Sequence, residues 1–130
     1  MTGDDRRVGS PHHLFVYGTL RPGDVRWHFL EPWVVDAGRD DSVRGRLFDT
    51  GLGYPAAMFG DGGIILGRTY ELARATLGRA LRTIDDEESS VAGGYHRVLV
   101  DTRTGVSAWA YAYGGGLELA AIPGGDWTAR

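Results

Sequence analysis

Short apolar runs separated by glycine-rich or Asp/Thr-rich breaks dominate the chain after residue 13, a pattern of strands joined by turns. Leu14 to Tyr17 reads as a first strand and Val43 to Asp49 as a second with alternating polarity. Ile64 to Leu72, Tyr95 to Asp101 and Val106 to Tyr113 read as further strands. In the last of these, Trp109, Tyr111 and Tyr113 share one face, and Ala108, Ala110 and Ala112 share the other. A strand that is bulky on one side and small on the other suits a tightly curved sheet or small barrel, where a neighbour must approach the alanine side closely. The aromatic face is either core or a wall for a ligand.

One segment follows a different period. From Ala73 to Glu88, apolar residues recur at Ala73, Leu77, Ala80, Leu81 and Ile84, the spacing of an amphipathic helix. It is the main helix that the pattern predicts. The fold class is therefore α+β: a small mixed-strand β-barrel of about five to seven strands with one main helix packed across it.

The helix ends in Asp85-Asp86-Glu87-Glu88, although negative charge at a helix C-terminus opposes the macrodipole. At about 100° per residue from Leu77, Leu81 lies near 40°, Ile84 near -20°, Glu88 near 20° and Asp86 near 180°. Glu88 thus falls on the apolar stripe, Asp86 on the opposite side, and Asp85 and Glu87 on the flanks. Two outcomes fit: a frayed end with Glu88 in water, or a carboxylate held among apolar neighbours. In the second case its pKa is expected to rise toward neutrality, which makes it a candidate general base.

The first strand breaks abruptly in "FVYGTLRPG", Phe15 to Gly23. A turn through Tyr17, Gly18 and Thr19 leaves backbone N–H groups without ladder partners. Gly18 permits a positive φ and a close approach of backbone to ligand, so the turn is a candidate nest for a carboxylate. An ordinary strand exit has the same residues. Arg21, before Pro22-Gly23, either adds charge or starts an exposed turn.

Composition narrows the chemistry. At 130 residues and 42% hydrophobic, the chain suits one domain, read as residues 14–130 after a polar, mobile tail over residues 1–13. No apolar run approaches the roughly 20 residues of a membrane helix and no signal-like segment opens the chain, so the expectation is a cytoplasmic protein without membrane partners. There is no cysteine, hence no disulfide and no thiolate metal site. All 14 basic residues are arginine against 17 acidic ones, a net of -3, which disfavours nucleic-acid binding through a basic surface. Without lysine, Schiff-base chemistry and a phosphate-loop lysine are excluded. Adjacent His12 and His13 are expected to point to opposite sides of an extended chain, and His28 and His96 stand at no ligand spacing, so no metal is expected.

Taken in order, several short motifs carry a resemblance. They are "VYGTLRPG", "GRLFDTGLGYPA" (Gly45 to Ala56), "LGRTYEL" (Leu66 to Leu72), "IDDEES" at the helix end, "YHRVLV" (Tyr95 to Val100), "AWAYAY" (Ala108 to Tyr113) and "IPGGDW" (Ile122 to Trp127). The set resembles the γ-glutamylcyclotransferase-like family, which includes γ-glutamylamine cyclotransferases and AIG2-like proteins. The resemblance implies a small mixed-strand barrel, a glutamate base at Glu88, and a substrate loop over Tyr17, Gly18, Thr19 and Leu20 whose backbone holds the α-carboxylate of a glutamyl group. The sequence departs from the family pattern at Glu87, where an aromatic is usual, and at Ser89, where glycine is. That makes Glu87 the neighbouring candidate, and the facing angle favours Glu88.

The implied reaction is cyclisation of a γ-glutamyl amine or amide, its own α-amino group attacking its γ-carbonyl to give 5-oxoproline and a free amine. It needs no cofactor and no protein nucleophile. Tyr111 or Tyr113 is a candidate hydrogen-bonding group, and Arg97 a candidate structural partner of the acidic helix end. Trp27, Trp33, Tyr54 and Met58 either line the amine side of the pocket or pack under loops. The alternative is a non-catalytic small-molecule binding domain on the same fold, which has less need of a core-facing glutamate.

Overall fold

The computed structural model describes residues 11–18 and 27–130. The apolar run at the start forms strand β1 (His13–Val16), whose alternation sends Phe15 to one side and Leu14 and Val16 to the other. The remaining strands are β2 (Arg39–Asp49), β3 (Pro55–Glu71), β4 (His96–Asp101), β5 (Ser107–Ala112) and β6 (Ala120–Ile122). They form one mixed six-stranded sheet in the order β4-β5-β1-β3-β2-β6, curled into a half-barrel. The pairing of β1 with β5 is parallel, and its pairing with β3 is antiparallel.

A long hairpin of β2 and β3 supplies the curl. Its register shifts between Arg44 and Gly45: Arg44 faces Ile64 and Gly45 faces Phe59, so residues 60–63 have no β2 partner. Gly60 and Gly62 adopt positive φ in this bulge, which non-glycine residues resist. The same residues explain a difference from the sequence reading. The sequence pattern, broken by Pro55 and the glycines at 60, 62 and 63, starts the strand at Ile64, whereas residues 55–63 are the first arm of β3. β2 also starts earlier than expected, at Arg39, because Arg39 to Ser42 find partners on β3 despite their polarity.

Each face of the sheet has its own core. Phe15, Val43, Leu47, Ile65, Ala108 and Ala110 pack inside the half-barrel. The other face is covered by α1 (Trp27–Leu30) and the longer α2 (Leu77–Ser89), with Leu14, Val16, Tyr70, Leu72, Leu81 and Ile84 between them and the sheet. β5 divides as its sequence suggests, Ala108 and Ala110 inside and Trp109 and Tyr111, with Tyr113 just past the strand, toward the helices. The helix begins later than its period implied: Arg74–Thr76 form a single 3-10 turn and Leu77 starts the α-helix. Burying Ile84 contributes about 1.5–3 kcal/mol, the usual value for such a side chain.

The N-terminal boundary is tied to the domain. Leu72 N–H donates to the His12 carbonyl (2.7 Å), and Trp109 Nε1 donates to the Pro11 carbonyl (2.9 Å). His12 and His13 do not diverge as an extended chain predicts. His12 lies one residue before the strand, and its ring sits 4.5 Å from that of His13. Among the described residues no helix is long and apolar enough to cross a membrane.

Candidate active site

A cavity opens where β1 ends and the chain turns through Tyr17 and Gly18. Its walls include both of these residues, Tyr54 and Pro55 at the start of β3, Tyr111 from β5 and Glu88 from α2. Thr19 and Leu20 lie outside the described residues, as does Arg21. Glu87 is not among the lining residues.

The helix period places Glu88. Ala80, Leu81, Ile84 and Glu88 are the buried residues of α2, Asp86 is exposed, and Asp85 and Glu87 are half-buried. With 7% of its surface exposed, Glu88 is a carboxylate inside the apolar seam. The last turn is held without a basic residue of its own. Ser90 donates through both its N–H (3.3 Å) and its hydroxyl (2.7 Å) to the Glu87 carbonyl, and the Ser89 hydroxyl donates to the Asp86 carbonyl. Arg97 of β4 offsets the acidic cluster, its Nε donating to Asp85 Oδ1 at 2.9 Å.

Hydrogen bonds fix the surrounding aromatic walls. The Tyr17 hydroxyl donates to the Tyr111 carbonyl (2.5 Å), tying the end of β1 to β5. The Tyr111 hydroxyl in turn donates to Asp85 Oδ1 (2.6 Å). Burial, then the hydrogen bond to Asp85 and its charge, push the Tyr111 phenol far above its ordinary pKa. Arg97 opposes that shift, and the nearby Glu88 carboxylate adds to it. Tyr111 therefore stays protonated, its proton committed to Asp85 and its oxygen still able to accept. The Tyr95 hydroxyl donates to the Pro55 carbonyl (2.6 Å) and that of Tyr54 to the Ala92 carbonyl (2.7 Å).

Gly18 is needed for a different reason than the sequence suggested. Its φ is not positive; instead a Cβ there would lie 2.7 Å from the Pro55 ring. The turn is shaped by close approach rather than by a left-handed backbone.

Of the remaining aromatic candidates, Tyr54 reaches the cavity, Trp27 packs on Tyr70, Trp33 lies beneath the Arg79 guanidinium, and Met58 is exposed. Tyr113 instead holds the turn at Leu117, accepting from its N–H at 2.7 Å. Asp85 is the residue that sequence reasoning undervalued. Its signal was the i, i+3 spacing to Glu88, which brings a flank position beside the stripe.

Comparison with known proteins places the chain in a family. The family described as Gamma-glutamyl cyclotransferase, AIG2-like, matches over residues 14–129. The Gamma-L-glutamyl-butirosin B gamma-glutamyl cyclotransferase of Niallia circulans is 36% identical over 95 residues, 73% of this chain and 56% of that protein. The chain thus spans about half the length of this curated relative. Among solved structures, the protein YtfP of Escherichia coli is 34% identical with a TM-score of 0.55, covering 91% of this chain and 97% of that one. An AIG2-like protein of Mus musculus shares the fold at 22% identity and a TM-score of 0.56, covering 81% and 77% of the two chains. The match over residues 14–129 spans both the strand-end turn and the helix that carries Glu88, and the chain belongs to the γ-glutamyl cyclotransferase, AIG2-like family.

Proposed function

We propose that the protein is a γ-glutamyl cyclotransferase that converts a γ-glutamyl amine or amide into 5-oxoproline and the free amine. The observation that carries this reading is the buried carboxylate of Glu88 opposite the Tyr17–Gly18 turn in one cavity. The relative from Niallia circulans is by name a cyclotransferase of a γ-glutamyl compound, which supports the same reaction class here.

In the proposed mechanism the substrate supplies its own nucleophile. The α-amino nitrogen forms a bond to the γ-carbonyl carbon, and the bond from that carbon to the leaving nitrogen breaks. Glu88 accepts a proton from the attacking amine and delivers it to the departing one, so that the carboxylate is regenerated. A carboxylate withdrawn from water suits the first role, because desolvation favours its protonated form. The backbone of residues 17–20, of which Tyr17 and Gly18 line the cavity, holds the α-carboxylate, and the Tyr111 oxygen accepts from the α-amino group. Both contacts bend the glutamyl chain toward a reacting distance of about 3–3.5 Å.

The cavity beside Glu88 is partly open to solvent, which gives a glutamyl group access to the carboxylate. Neither a metal nor an organic cofactor has a part in these steps.

Mass spectrometry of the products tests the reading. With a panel of γ-glutamyl amines and γ-glutamyl amino acids, the protein is expected to release 5-oxoproline and amine in equal amounts. Free glutamate in place of 5-oxoproline means hydrolysis, and tight binding of a panel member without turnover means a binding domain; either result overturns the proposal.

A further inference from the structure

The end of β1 away from the cavity carries a cluster with different chemistry. His13 and Glu71 are cross-strand partners in the β1–β3 ladder, so their side chains leave the sheet on the same face. His12, one residue before the strand, turns its ring against that of His13 and places Nε2 3.0 Å from Glu71 Oε2. One donor atom from each of the three residues lies within 4.8 Å of the others.

We propose that His12, His13 and Glu71 form a binding site for a divalent transition-metal ion, with Zn²⁺ as the ion that fits best. Bond lengths of about 2.0–2.2 Å to imidazole nitrogen and carboxylate oxygen place tetrahedral ligands about 3.3–3.5 Å apart. The His12–Glu71 pair stands at 3.0 Å and all three donors lie within 4.8 Å of one another, so ligation requires the wider pairs to close by no more than about 1.5 Å. Two imidazoles and one carboxylate form a borderline donor set that favours zinc, cobalt and nickel over magnesium and calcium.

The surroundings suit a cation. The His12 side chain is 13% exposed and that of Glu71 41%, a half-buried corner that leaves a coordination position open to water. Asp36 and Arg39 also act electrostatically on His13. The two carboxylates outweigh the single arginine by one charge when the imidazoles are neutral. Asp36 Oδ1 accepts from the N–H groups of Glu71 (3.1 Å) and Gly38 (3.2 Å), and so supports the strand end rather than ligating. Ladder pairing, together with the Leu72 N–H donated to His12, fixes the backbone of all three ligands before an ion arrives. Such an ion clamps the start of β1 to the end of β3 and takes no part in the reaction proposed above.

The test is titration of the untagged, chelator-treated full chain with ZnCl₂ by isothermal calorimetry, with thermal melting in parallel. One ion per chain is expected to bind with a micromolar or tighter Kd and to raise the melting temperature. His13→Ala and, separately, His12→Ala are expected to weaken binding at least tenfold, while His96→Ala, which alters an exposed histidine outside the cluster, leaves it unchanged. Two variants guard against one that fails to fold, which melting without metal reveals. Absence of zinc binding, or equal binding by wild type and both folded variants, overturns the proposal.

Discussion

The Tyr111 hydroxyl stands 2.6 Å from Asp85 Oδ1, the same oxygen that Arg97 Nε reaches at 2.9 Å. Through this contact β5 holds the last turns of α2 three residues before Glu88, so the cavity's aromatic wall and its carboxylate are fixed relative to one another. Arg97 also stacks over Trp109 at 4.4 Å, which keeps its fork in place.

Tyr111→Phe removes the hydroxyl but leaves Asp85 bound to Arg97. We expect a loss of about 1.5–3 kcal/mol in stability, the scale of a hydrogen bond to a charged group. We also expect kcat/KM to fall by about tenfold as the substrate loses an acceptor and the wall loosens. Urea unfolding and steady-state kinetics on one preparation measure both; an unchanged kcat/KM would remove Tyr111 from the site.

Gly18→Ala places a methyl group 2.7 Å from the Pro55 ring, which has little freedom to yield. Overpacking of this kind costs about 1–3 kcal/mol. Because Pro55 and Gly18 both face the cavity, the substitution should depress kcat/KM beyond what the fraction unfolded explains. Thermal melting and kinetics below the melting range separate the two effects.

Asp41 provides a pH prediction remote from the cavity. Burial alone would raise its pKa, but hydrogen bonds from the Thr104 and Thr69 hydroxyls and the Ser42 N–H hold it below the ordinary value of 3.8. A folded-state pKa below the unfolded one contributes stability that is fully present above about pH 4 and lost as pH falls through the folded value. Asp41→Asn should therefore be less stable than wild type by about 1–3 kcal/mol at neutral pH. The difference should shrink toward zero in acid, as denaturant melts at neutral pH and in strong acid will show.

Much of the fold is legible in the chain because most strands alternate or run apolar between clear breaks. The exceptions have two causes. Residues 55–63 form half of β3, yet their proline and glycines serve a bulge and a close hairpin that only the partner strand explains. Short elements such as β6 and α1 contain too few residues for any period to show.

At the candidate site, the burial of Glu88 follows from the angular position of one residue on α2. The role of Pro55 depends on a contact between distant segments that no local pattern marks, and that of Asp85, though its spacing to Glu88 is local, is completed only by Tyr111 of a distant strand. The proximity of His12 to Glu71 is of the same kind, since 59 residues separate them in sequence.

The most direct test of the central claim compares wild type with Glu88→Gln for 5-oxoproline formation on a substrate that the wild type turns over. Glutamine keeps the size of the side chain but cannot accept and return a proton. We expect kcat to fall by about 10²- to 10⁴-fold with KM changed little, since a general base contributes on that scale. A folded Glu88→Gln protein that forms 5-oxoproline at the wild-type rate would contradict the account.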